Sequence, residues 1–307
     1  MARKKKQNEE AEVVYAPIVL QPITETIEKN YMPYTMSVIV SRAIPEIDGF
    51  KPAHRKLLYT MYNMGLLTGP RTKSANIVGA TMKLNPHGDQ SIYETMVRLT
   101  KGNETLLHPF IDSKGSFGKQ YSSDMKYAAS RYTEAKLDTF CNEIFNGIDK
   151  DAVDMVDNYD GTMKEPSLLP TSFPNVLIMP NSGIAVGMAS DICSFNLAEI
   201  CDATIAILKK PDISLDKIMD IVKAPDFPGG GQIIYDREQM RQIYDTGDGS
   251  FKIRSRYTYD PSDNCIDIIQ IPYSTTIEQI LNKISVLVKD GKLKEITDFR
   301  DEIDLNG

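Results

Sequence analysis

Seven basic side chains fall between Arg42 and Lys83 (Arg42, Lys51, Arg55, Lys56, Arg71, Lys73 and Lys83) against two acidic ones, Glu46 and Asp48. Clustered Lys and Arg are what a nucleic-acid backbone requires of a protein surface. The next concentration of charge has the opposite sign, with nine acidic residues against three basic ones between Glu134 and Pro170. A basic face with acidic flanks would hold a polyanion in one place and repel it elsewhere. From charge alone, such a site and a merely solvated surface stand level. A second polar set, Gln90, Glu94 and Arg98, recurs at four-residue spacing opposite the apolar residues Ile92, Met96, Val97 and Thr100. That pattern by itself favours an ordinary amphipathic surface helix over one that meets a ligand.

Other chemistries find little support. There is no Walker A loop, no GxSxG elbow and no HExxH, and the three histidines, His54, His87 and His108, have no spacing that suits a zinc site. The run Asp149, Asp151, Asp154, Asp157 and Asp160 fails EF-hand spacing, because Val153 stands at the fifth loop position and Val156 at the eighth. It reads as solvated acid and turn chemistry, and no metal site is expected in this chain. Cys141, Cys193, Cys201 and Cys265 have neither zinc pairing nor the density of a disulfide scaffold, and read as free thiols in a reducing cytoplasm.

These residues need elements to position them. A chain of 307 residues, 41% hydrophobic and 25% charged with a net charge of −7, is long enough for two cores, and two domains are expected. No apolar run approaches the roughly 18 to 20 residues that span a bilayer, and the lysine-rich N-terminus does not lead into a signal core. Residues 1 to about 20 read as a basic arm carrying an extended segment, Val13 to Leu20. Helices are expected from Ile23 to about Ala43, from Lys51-Pro52 with Leu57, Leu58, Met61 and Tyr62 as its apolar stripe, from Thr72 to Leu84, and from a cap at Asp89 or Ser91 to about Lys101. The tight turn Asn85-Pro-His-Gly88 between the last two suggests helix-turn-helix architecture. A helix from about Leu137 to Phe145 follows. Short strands at Val176 to Met179 and Ile184 to Met188 come next, and then a hairpin joining Phe251 to Tyr259 with Cys265 to Ile271, with the helix Thr276 to Lys289 packed on it.

Seven strings then occur in order: YMPYTMSVIVSRAIPEIDGFKPAHRKLLYTM (Tyr31 to Met61), NPHGDQSIYETMVRL (Asn85 to Leu99), GSFG (Gly115 to Gly118), AASRYTEAKL (Ala128 to Leu137), VDNYDGTMKEPSLLPT (Val156 to Thr171), NSGIAVGMA (Asn181 to Ala189) and APDFPGGGQII (Ala224 to Ile234). Together they resemble the breakage-reunion region of the A subunits of bacterial type IIA DNA topoisomerases, the gyrase and topoisomerase IV family, over roughly residues 20 to 307.

The resemblance implies an α+β fold. It would comprise an N-terminal arm and helix (1–35), a winged-helix, CAP-like DNA-cleavage domain (36–170) and an α/β tower domain (171–307) that is incomplete at its C-terminal end, where Arg300 to Gly307 matches a point inside the tower. It implies Tyr132 as the nucleophile that forms a transient 5′-phosphotyrosyl link. Arg131, Arg42 and His87 would stand around the scissile phosphate, with Lys51, His54, Arg55, Arg71 and Lys73 on the DNA backbone and Ile184 as an apolar wedge entering a base step. Magnesium and ATP would both be held by a B subunit. The assembly would be two A and two B subunits on double-stranded DNA, with the A subunits paired, in the bacterial nucleoid.

The chain departs from the family pattern in three places. PDVRDGLKP becomes Pro45-Glu-Ile-Asp-Gly-Phe-Lys51-Pro52, one residue shorter and without the arginine. Gln90 and Glu94 occupy the positions that anchor quinolone drugs, where glutamine replaces serine, so weak quinolone sensitivity is expected. Lys119 to Tyr127 lacks the usual DGD and alanine-rich approach. The residues themselves leave one other reading, a winged-helix regulator that binds DNA without cutting it.

Overall fold

The computed structural model describes residues 20–303, so the basic arm and the segment from Val13 lie almost wholly outside the described residues. The fold is a mixture of helix and sheet, α+β. A helical rod over residues 23–43 alternates α-helical turns, α1 (Ile23–Thr26) and α2 (Met32–Val38), with π-helical turns, Ile27–Tyr31 and Ile39–Ala43. Of the rod only Ala43 is buried.

Three helices then pack on one another, α3 (Pro52–Asn63), α4 (Ser74–Thr81) and α5 (Asp89–Leu99). α3 begins where Pro52 sits in the first turn, the position at which its missing N–H costs nothing. Leu57, Leu58 and Met61 of α3, Ile77 and Val78 of α4, and Ile92, Met96 and Val97 of α5 form the centre of the main core. Against them lies an antiparallel sheet in the order β1-β5-β2, made of β1 (Thr72–Lys73), β2 (Ile111–Lys114) and β5 (Glu134–Leu137). The hairpin of β3 (Phe117–Lys119) and β4 (Ser122–Tyr127) stands beside it. α6 (Cys141–Phe145) and the hairpin of β6 (Met155–Asp157) and β7 (Lys164–Pro166) complete this half.

A second, smaller core gathers Ile178, Ile200, Ala203 and Val222, with Phe173 packed against both cores. It is carried by α7 (Leu197–Lys209) and α8 (Leu215–Ile221), preceded by the hairpin of β8 (Asn181–Ile184) and β9 (Ala189–Ile192). Beyond it come β10 (Gln232–Ile234), α9 (Arg237–Thr246), β11 (Lys252–Arg254), the hairpin of β12 (Arg256–Asp260) and β13 (Cys265–Gln270), and α10 (Ile277–Lys289).

Several expected elements are placed differently. The third helix starts at Ser74, because Thr72 and Lys73 pair with Ala135 and Glu134 as a strand. α5 has Gly88, not Asp89 or Ser91, as its N-cap, and the Ser91 hydroxyl donates back to the Gly88 carbonyl at 2.8 Å. Leu137 is not helical but closes β5, with Ala135 and Leu137 facing the core, and the helix waits until Cys141. The Val176 strand is instead a short 3-10 turn, Asn175–Leu177, drawn in by the buried Asn175 side chain, which donates to the Asp48 carbonyl at 2.8 Å. Ile184 ends β8, and residues 185–188 are the turn of its hairpin rather than a strand. The later hairpin is only β12 with β13, since Lys252–Arg254 pairs with β10.

α10 caps itself with a reciprocal Thr276–Gln279 box, and it docks on β4 rather than on that hairpin. Glu278 makes the joint, accepting from the Ser122 hydroxyl, from Ser123 N–H at 3.0 Å and from Asp124 N–H at 3.3 Å. Burial alone would raise this carboxyl, but the Ser122 and Ser123 donors outweigh it and hold the group down to about 2. A depressed carboxyl stabilises the fold fully above its ordinary value of 4.5 and loses that contribution as pH falls toward about 2. The stability advantage of the parent over Glu278→Gln, read by denaturant unfolding, should therefore shrink across that window; an advantage independent of pH would remove the carboxylate from this role.

Candidate active site

Tyr132, 66% exposed, sits in a turn, residues 130–132, immediately before β5. The Arg131 guanidinium lies 4.8 Å from the centre of that ring, within cation–π range. The turn itself is rigidly held. Tyr132 N–H donates to the Ala129 carbonyl at 2.9 Å, and the first two N–H groups of α4, from Ser74 and Ala75, donate to the carbonyls of Thr133 and Ser130 at 3.0 and 3.1 Å. A helix start leaves such donors without intrahelical partners, so here the helix and the turn satisfy each other.

On the polar face of α5, Gln90, Glu94 and Arg98 are all exposed, while Ile92, Met96, Val97 and Thr100 are buried. Gln90 Nε2 donates to Glu94 Oε1 and to the Tyr127 hydroxyl, both at 2.9 Å, and the Tyr127 hydroxyl reaches Glu94 at 3.2 Å. Tyr127 also stands edge-on to Tyr93 at 5.6 Å. Burial and the Glu94 carboxylate together raise the Tyr127 phenol.

A cationic patch forms at the start of α3. Lys51 Nζ donates to the Ser182 carbonyl at 2.6 Å, and its ammonium is lowered by burial and by the nearby Arg98. His54 accepts the Lys51 N–H at Nδ1. Burial, followed by Lys51, Arg98 and Arg55, pushes this imidazole down to about 3, so near neutrality His54 is an uncharged ring that would meet a phosphate as a hydrogen-bond donor. Arg98, which lay outside the expected site, belongs with Lys51 electrostatically.

The β8–β9 hairpin is fastened beside this patch. A Cβ on Gly183 would lie 2.1 Å from the Ala43 carbonyl oxygen, so only glycine lets the hairpin seat on the end of the rod next to the exposed Arg42. With Lys51 holding Ser182, the hairpin projects Ile184 at its tip, 86% exposed. Arg42, Lys51 and Ile184 thus share one neighbourhood, whereas Tyr132, Gln90 and Glu94 are linked in another through Tyr93 and Tyr127. His87 is exposed in the turn before α5, its N–H on the Asn85 carbonyl at 2.8 Å.

The basic cluster is less free than its composition implies. Arg55 is a correction: its guanidinium is buried and grips the Asp48 carboxylate at 2.8 and 2.9 Å, so it serves the fold and cannot reach a phosphate. Lys56 pairs with Glu165 at 3.2 Å, Arg71 with Asp112 at 2.6 Å and Lys73 with Glu134 at 2.8 Å. The last two pairs are exposed and weak, and a phosphate could compete for them. Among the described residues no group of three or more His, Cys, Asp or Glu converges as a metal site, and no helix is long and apolar enough to cross a membrane.

A family model describing the A subunit of DNA gyrase/topoisomerase IV matches residues 42–307. The chain is 43% identical over 296 residues to the DNA gyrase A subunit of Metamycoplasma arthritidis, covering 94% of this chain and 32% of that protein. It is 43% identical over 291 residues to that of Borreliella burgdorferi (93% and 35%) and 40% over 301 residues to that of Staphylococcus aureus (96% and 34%). It spans about a third of the length of these curated relatives.

Proposed function

This chain belongs to the family of DNA gyrase and topoisomerase IV A subunits, and on that premise we propose that it is the DNA-cleaving and resealing part of an ATP-dependent type IIA topoisomerase. The observation that carries the reading is the exposed Tyr132, stacked under Arg131 on a turn anchored to two helices. In the reaction the Tyr132 oxygen bonds to a backbone phosphorus and the bond to the 3′ oxygen breaks, with the phenol proton leaving and the 3′ oxygen gaining one. The product is a 5′-phosphotyrosyl enzyme and a free 3′ hydroxyl. Reversal reseals the strand without loss of bond energy to water. A phenol is a weak nucleophile near neutrality but a good leaving group, so attack needs help and resealing does not. Arg131 is the adjacent cation for the developing charge, with His87 as a further group around the phosphate, and Arg42, which sits with Lys51 and Ile184 rather than with Tyr132 in one chain, would join them as the A subunits pair on DNA.

In this reading residues 36–170 are the winged-helix cleavage domain and residues 171–307 part of the tower. Magnesium and ATP are held by a B subunit, two copies of each type of chain assemble on double-stranded DNA with the A subunits paired, and the complex works in the nucleoid. Bound magnesium would supply charge neutralisation at the phosphate. Lys51, Arg71 and Lys73 supply backbone contacts, which fix position without reading sequence. The family does not favour the other reading, a regulator that never cuts. The test is covalent capture with a cognate B subunit, magnesium and end-labelled duplex, quenched with detergent; protein should be found on 5′ ends, and DNA binding without any adduct would sink the proposal.

Two further results are expected. Ile184, on its fastened hairpin, is the wedge, and unstacking a base step at a cost of a few kcal/mol is offset by wider contact with bent DNA. Ile184→Ala should reduce bending, read by energy transfer between labelled DNA ends, and an unchanged bend angle would exclude the wedge. Gln90 is larger than the serine it replaces and is already held by Glu94 and Tyr127, so quinolone-stabilised cleavage should be weak in the parent and stronger in Gln90→Ser. Equal sensitivity would contradict it.

A further inference from the structure

Three hydroxyls lie sealed beneath the Tyr132 turn, where apolar side chains would pack as well. Ser74 and Thr133 have no exposed surface and Tyr93 is nearly buried. Thr133 Oγ1 stands 2.7 Å from Ser74 Oγ and 2.9 Å from the Tyr93 hydroxyl, and because each hydroxyl has a single proton the chain is continuous when Ser74 donates to Thr133 and Thr133 to Tyr93. The Tyr93 hydroxyl in turn donates to the Ala128 carbonyl at 2.7 Å. This chain of hydroxyls joins α4, α5 and both ends of the segment 128–133. Burying three hydroxyls is costly unless their hydrogen bonds are made, so a network of this kind fixes geometry more narrowly than hydrocarbon contact does.

We infer that Thr133 is a positioning residue for Tyr132, its buried hydroxyl fixing the turn that aims the phenol. The inference rests on the function proposed above. The Tyr132 ring projects into solvent, so the backbone beneath it sets the direction of its oxygen. Misplacement of a reacting group by about 1 Å can cost roughly a hundredfold in rate. The hydroxyl network holds that backbone, with Thr133 at its centre.

The test uses Thr133→Val, which keeps the shape and removes the hydroxyl, and Thr133→Ser, which restores it. In the complex with saturating duplex and a B subunit, single-turnover formation of the 5′ adduct should slow about 10- to 100-fold in Thr133→Val, with DNA affinity unchanged and Thr133→Ser close to the parent. Amide exchange at Tyr132 of the free chain, whose N–H is held on the Ala129 carbonyl and which needs no catalysis, should be quicker in Thr133→Val than in the parent or Thr133→Ser. Tyr93→Phe cuts the same network from the other side, and serves if Thr133→Val does not fold. Parent-like adduct formation and exchange in a folded variant overturn the inference while leaving the proposed function intact. A parent that forms no adduct, with the exchange difference present, overturns the function and supports the restraint.

Discussion

Tyr132→Phe is expected to abolish the covalent protein–DNA adduct, by at least about a thousandfold, because it removes the only atom that would bond to phosphorus. The substitution takes away one oxygen from a side chain that is mostly in solvent, so unfolding free energy should change by no more than about 0.5 kcal/mol. DNA affinity should survive as well, since phosphate contacts come from Arg and Lys. Exposure alone does not single out this residue: Tyr31, Tyr34, Tyr159, Tyr257 and Tyr259 are also exposed. What distinguishes Tyr132 is the neighbouring Arg131 and the backbone turn locked to the start of α4. Adduct formation persisting in the Phe variant would move the nucleophile to another tyrosine and undo the assignment.

How much of this can be read from the sequence depends on the range of the interaction concerned. The buried face of α5 is legible because Ile92, Met96 and Val97 repeat at helical spacing within one element. The start of α10 is legible because Thr276 and Gln279 form a local capping box. Local pattern puts Leu137 in a helix, wrongly, because its strand is set by pairing with Ile111, 26 positions earlier, which no local pattern reports. Tyr127 escapes notice because its hydrogen-bond partners, Gln90 and Glu94, lie 37 and 33 residues away. The family strings carry Tyr132, Arg131 and Ile184 to the surface positions they occupy, but strings cannot tell an arginine that faces solvent from one that is buried. The resemblance assigns Arg55 to a phosphate, whereas its partner Asp48 is brought to it by the turn at Gly49, whose φ of +80° and closeness to the Asn175 backbone leave no room for a side chain.

That same turn sets the second large effect. Asp48→Ala should destabilise the chain by about 3 to 5 kcal/mol, the usual result of stripping one partner from a buried ion pair. The Asp48 carboxylate is buried and accepts from Arg55 Nε and Nη2, from Phe50 N–H at 3.0 Å and from Leu169 N–H at 2.9 Å. Its removal strands a guanidinium and two amides in the interior. Neighbouring bonds run through the same loop, from Asn175 to the Asp48 carbonyl and from Asn181 to the Gly49 carbonyl, so the seat of Lys51 and of the Ile184 hairpin should loosen with it. Lys73→Ala, which breaks an exposed pair with Glu134, provides the contrast and should cost under about 1 kcal/mol. Replacing both members, Asp48→Leu with Arg55→Met, removes the stranded charge and should recover part of the loss. Recovery stays incomplete because the Phe50 and Leu169 amides still lack an acceptor. Denaturant unfolding of the parent and these three variants orders them, and an Asp48→Ala loss no larger than that of Lys73→Ala would show that Asp48 does not hold this loop.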